Sequence, residues 1–188
     1  MITDLIGRIA EGIVTPRTSL RGFLDRGPHG PDTVVALVVL AYLVQAISAL
    51  VVPGASTAEE GQVLVWHVAG LTFHAILFAL AAALVFGVGR VFGGIAQVRH
   101  VVLAMAWYFF LTSFLAPLSQ FGIGAAMDGE ESALSGLLFL ATSVIGVWVL
   151  AGFVAEIHGF RNTGAVLGAM VALMLLSSVL LSPLIGAA

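Results

Sequence analysis

Five intervals of this chain contain no aspartate, glutamate, lysine or arginine: Asp32 to Glu59, Glu60 to Arg90, Arg99 to Asp128, Glu131 to Glu156, and everything after Arg161. Each is longer than the ~20 residues an α-helix needs to cross the hydrocarbon of a bilayer. Only 9% of the residues are charged, whereas a water-soluble domain carries roughly a quarter. The missing charges mean that most of the outer surface meets lipid. The runs are continuous and do not alternate with period two, so a β-barrel is not expected. The expected fold is all-α, a polytopic bundle of five transmembrane helices over 31–188. The helices fall near Thr33–Val52, Val63–Val88, Val98–Ile123, Ala133–Ala155 and Gly164–Ile185. A cytoplasmic amphipathic segment over 1–30 precedes them.

Arginine sets the orientation. Arg8, Arg17, Arg21 and Arg26 come before the first span, Arg90 and Arg99 between the second and third, and Arg161 between the fourth and fifth. On a five-span path all of these lie on one side. Glu59, Glu60, Asp128, Glu130 and Glu131 lie on the other, with no arginine. The positive-inside rule makes the arginine side cytoplasmic, with the N-terminus inside and the C-terminus outside. "MITDLIGRIAEGIVTP" is too polar for a signal peptide. As a helix it places Ile2, Leu5, Ile6, Ile9 and Ile13 on one face and Asp4, Arg8 and Glu11 on another, and Pro16 ends it. Such a helix either lies in the membrane interface or packs on the cytoplasmic ends of the bundle.

The absence of cysteine excludes disulfides, thiolate nucleophiles and thiolate-bound metal. The net charge of −3 argues against nucleic acid as a partner. No span holds paired aspartates, and neither Gly-x-Ser-x-Gly nor His-Glu-x-x-His occurs. "GRVFGG" at 89–94 reads as a tight connection, with Gly93 and Gly94 supplying backbone freedom. The protein is therefore expected not to be an enzyme and to need no cofactor or metal.

Two groups of polar residues stand out. His67 and His74 lie seven apart on the second span and face nearly the same way, with Gln45 as a candidate neighbour on the first. Packing and interhelical hydrogen bonding are their expected role, and a proton relay or metal site is the alternative. Gln120 is read likewise as an interhelical hydrogen-bonding residue, and Trp66 as an interfacial one. The second group is "EIHGFRN" at 156–162. Gly159 suits a left-handed cap, His158 and Arg161 suit a helix C-terminus, and Asn162 or Thr163 caps the next helix. Glu156 sits at the hydrocarbon edge and needs a cation. Among the inner turns, Arg90, Arg99 and Arg161 are available, with Arg90 and Arg99 preferred. The alternative is a lipid-headgroup or protein-partner site made of Glu156, His158 and these arginines.

"WVLAGFVAEIHGFRNTGAVLGAM", together with "VGRVFGG", "VRHVVLAMAWYFFLTSFLAPL" and the N-terminal "TPRTSLRGF", resembles the Yip family of five-span membrane proteins. The resemblance is strongest over 85–180. It implies five helices, a cytoplasmic N-terminus and a C-terminus on the far side. Eukaryotic members interact with Ypt/Rab GTPases; this chain lacks their Asp-Leu-Tyr-Gly-Pro type motif, and no Rab partner is expected. The absence of lysine and the short loops point to a bacterial inner membrane. The expected function is a non-enzymatic organiser that binds lipid or a protein partner on the cytoplasmic face. The alternative is a small transporter or channel for a neutral solute or ion, lined by His67, His74 and Gln45.

Overall fold

The computed structural model describes residues 2–27, 29–51, 63–119 and 133–185, and no strand occurs among them. The helices are α1 (Ile2–Val14), α2 (Pro16–Leu24), α3 (Pro31–Val51), α4 (Val63–Val91), α5 (Val98–Ser113), α6 (Ala133–His158) and α7 (Thr163–Ile185). Residues 116–119 form one further helical turn. Three stretches are long and apolar enough to cross a membrane: Pro31–Ser48, His67–Val91 and Ala133–His158. Val98–Ser113 and Thr163–Leu176 are shorter apolar helices. Gln120, the side chain of Trp66 and the acidic residues from Glu59 to Glu131 that mark the far side lie outside the described residues.

The helix expected to run unbroken over Val98–Ile123 ends at Ser113. Proline at 117 has no N–H to donate to the Ser113 carbonyl, and its ring collides with that carbonyl in a continuous helix. The chain tightens instead. Leu115 N–H donates to the Thr112 carbonyl (2.9 Å), and Ser119 N–H then reaches the Leu115 carbonyl (3.2 Å).

α5 is the axis of the bundle. Val101, Leu103, Ala104, Met105, Ala106, Trp107, Phe110 and Leu111 are all buried. α3, α4 and α6 pack around it. One core cluster joins Trp107, Phe110 and Leu111 to Leu37, Val38, Val149 and Phe153. The outward faces are as apolar as the core: Phe73, Leu84, Leu137 and Leu175 are each more than 60% exposed. An apolar surface this extensive is not compatible with water around it.

The N-terminal segment is two helices and not one. Thr15 leaves helical geometry (φ −130°, ψ 66°), and Pro16 opens α2 at a position that needs no N–H donor. α2 sends Leu20, fully buried, into the main core cluster. Phe23 stacks between Trp107 (4.8 Å) and His29 (4.3 Å). α1 docks through its C-terminal half. Ile9 packs on the core, Gly12 lies against Leu111, and Trp148 Nε1 donates to the Ile13 carbonyl at 3.0 Å. Leu5 and Ile6, from the same predicted apolar face, stay exposed. The charged face carries an Arg8–Asp4 pair at 3.1 Å.

Candidate functional site

The polar residues of "EIHGFRN" sit where α6 ends, and they divide into three separate jobs. Glu156 is only 12% exposed, yet it receives two guanidinium groups. Arg17 Nε donates to Oε2 at 2.9 Å, and Arg21 reaches Oε1 through Nε (2.8 Å) and Nη2 (2.7 Å). Arg17 and Arg21 are four apart on α2, so they rise from one face of one helix. Below the pair Gly152 holds the helices together: a Cβ there would meet Pro16 Cγ at 2.5 Å.

The expected pairing of Glu156 with Arg90 or Arg99 is corrected by this geometry. Arg90 lies over the Phe86 ring at 5.5 Å. Arg99 donates to the His29 carbonyl at 2.9 Å. Neither reaches Glu156, because α2 lies against this end of α6 and delivers its own arginines first. "TPRTSLRGF" carries the signal, with two arginines at helical spacing behind a proline that starts a helix. A search for cations confined to the inner turns misses it.

His158 does a second job. Its ring is 2% exposed and is wrapped by the turn between α4 and α5. Nε2 donates to the Val85 carbonyl at 3.1 Å, so the proton is on Nε2 and Nδ1 has no partner. A Cβ on Gly89 or Gly94 would run into the imidazole. Ile95 N–H closes the contact by donating to the His158 carbonyl at 3.3 Å. The two turns are thus one interlocked unit, and Gly89 and Gly94 are there for close approach. Gly93 (φ +81°) and Gly159 (φ +72°) supply the left-handed turns. Asn162 caps α7: its Oδ1 accepts from Gly164 N–H (2.8 Å) and Ala165 N–H (3.3 Å).

Arg161 does the third. Its carbonyl accepts from Arg17 Nη1 at 3.4 Å, and its exposed side chain makes no ion pair among the described residues. It stands at the mouth of an apolar groove of about 820 Å³. The floor is Val147, Leu150 and Val154 of α6. The walls are Leu84 and Val88 of α4 and Val166, Ala169 and Met170 of α7.

The paired histidines lie on the other half of α4. Tyr42 hydroxyl donates to the His67 carbonyl (2.9 Å) and accepts from His67 Nδ1 (3.1 Å). Gly70 admits the tyrosine ring, since a Cβ there would lie 3.0 Å from the Tyr42 hydroxyl. His74 is buried edge-on between Tyr42 (6.1 Å) and Phe109 (5.3 Å), with Nε2 unpartnered. Gln45 is half-buried and bonds to neither histidine. Among the described residues no three His, Cys, Asp or Glu stand close enough to hold a metal ion. No protein family, curated protein or solved structure matches the chain.

Proposed function

We propose that this protein is a non-enzymatic, five-span protein of the bacterial cytoplasmic membrane, of the Yip type suggested by its turn sequences. In this reading its arginine-bearing end faces the cytoplasm and binds lipid or a protein partner there. α5 and α7 complete the five spans beside the three longer helices, and the segregation of arginine supports the orientation. The observation that carries the function is the division of labour at that end. Glu156 and His158 are engaged in holding α2, α4 and α6 together, while Arg161 and the groove beside it remain open. That is the arrangement of a rigid platform for binding. Crosslinking in native membranes followed by affinity capture should recover a lipid or protein adduct at residues lining the groove. Adducts scattered without preference over the bundle would count against the platform.

A second reading, a small transporter or channel, draws on His74, whose buried Nε2 has no partner beside the Tyr42–His67 pair. Flux of a neutral solute or ion into reconstituted vesicles, lost on His74→Leu, would favour it over the platform.

A further inference from the structure

The groove between α4, α6 and α7 has three properties that together describe its occupant. The first is depth. Its far wall runs along α7 from Ala165 to Met174, which at 1.5 Å per residue is about 14 Å. The hydrocarbon of one leaflet is about half of 30 Å. The groove therefore starts at the level of Arg161 and ends near the depth at which a single leaflet ends. The second is surface. Below its mouth the lining is aliphatic, with Met170 and Met174 as adaptable elements of one wall. The third is charge. None of the lining residues is acidic. Arg17 and Arg21 share one carboxylate, Glu156, which leaves that group at +1, and Arg17 Nη1 ties it to the Arg161 carbonyl, while the Arg161 guanidinium makes no ion pair among the described residues. Glu156 is held by the α2 arginines and does not neutralise Arg161. The capped N-terminus of α7 points its positive dipole end to the same place.

We infer that this groove is a binding site for an anionic glycerophospholipid of the arginine-side leaflet, with an acyl chain along α6 and α7 and the headgroup phosphate at Arg161. A helix from a second copy would have no use for an unpaired cation at the rim, and a soluble anion would have no use for the aliphatic floor. The charge selects an acidic headgroup over a zwitterionic one, because the two can present the same chains to the groove while only the first keeps a net negative charge at its mouth.

This inference rests on the membrane-platform reading above. That reading fails in topology or capture experiments, and this one fails in a lipid titration, so the two failures are distinguishable. The full chain, purified in mild detergent, is titrated with dioleoyl phosphatidylglycerol and separately with dioleoyl phosphatidylcholine, and the bound lipid is resolved by native mass spectrometry. The parent protein should retain phosphatidylglycerol preferentially. Arg161→Gln should weaken phosphatidylglycerol about fivefold and phosphatidylcholine by less, so that the preference between the two shrinks. Its side chain is exposed and its backbone contact to Arg17 survives the change, so the fold is not at risk. Ala169→Trp, which fills the groove from an exposed wall position, should abolish retention of both lipids. Arg8→Gln, distant on α1, should change nothing. Equal binding of the two lipids by the parent, unaltered phosphatidylglycerol binding in Arg161→Gln, or full retention in Ala169→Trp would each overturn the site. So would displacement of the lipid by inorganic phosphate, or a dimer that Ala169→Trp dissolves.

Discussion

Glu156 can be removed from its clasp by a change of one atom, which makes it the sharpest test at the level of single residues. Glu156→Gln keeps the shape and removes the charge that two guanidinium groups share. Hydrogen bonds to a charged group contribute about 1.5–3 kcal/mol, and Arg21 is largely wet, so the expected loss is about 2 kcal/mol. Arg17→Gln should cost more than Arg21→Gln, since Arg17 is 34% exposed and Arg21 65%. In a double-mutant cycle Glu156 should couple to Arg17 and be additive with Arg90. Thermal unfolding in detergent reads all of these, and additivity between Glu156 and Arg17 would sink the clasp. Glu156 itself can be picked out in the sequence as a charge needing a cation. Its partner cannot, because the choice among seven arginines is made by which helix docks against α6, and docking has no local signature.

Between elements, glycine sets some of the closest approaches. Gly87 and Gly89 are two apart on α4, and only one faces a neighbour: around Gly87 there is open space, while at Gly89 a methyl group meets His158. Gly89→Ala should therefore destabilise by about 1–3 kcal/mol through overpacking, and Gly87→Ala should be neutral or stabilising by up to about 1 kcal/mol through helix propensity. Equal melting temperatures for the two variants would show that the turns are not interlocked through His158. α1 permits a similar contrast. Ile9→Asp should undock it and raise protease cleavage at Arg8 or Arg17, whereas Ile6→Asp, at a position already 60% exposed, should leave cleavage unchanged. Unchanged cleavage in Ile9→Asp would mean that α1 is not held by that contact. Periodicity marks the apolar face of α1 as a whole. It cannot mark which half of that face meets protein, since both environments ask for the same side chains.

For the whole molecule, reporter fusions after Arg26, near Phe92 and near Asn162 should report cytoplasm, and fusions near Ala58, Gly129 and the C-terminus should report the outside. A cytoplasmic signal at the C-terminus would refute the five-span path. The helical segments are legible as charge-free runs because composition alone decides what lipid tolerates. The sequence places helices at Val63–Val88 and Ala133–Ala155, and they cover Val63–Val91 and Ala133–His158. The break after Ser113 is not legible from charge, since Phe114, Leu115 and Ala116 are as apolar as what precedes them. Pro117, through its missing N–H and its ring, ends the helix there. The groove is not legible at all, because it is a space between three helices and belongs to none of them.

The clasp joins positions 139 residues apart, and the earlier of them is made first. At about 5–20 residues per second, α2 leaves the ribosome on the order of ten seconds before the end of α6 exists to receive it. During that interval Arg17 and Arg21 have no carboxylate to meet at their final address. The ion pairs that fix α2 to α6 therefore form only after α3, α4 and α5 have been made, and α7 follows them.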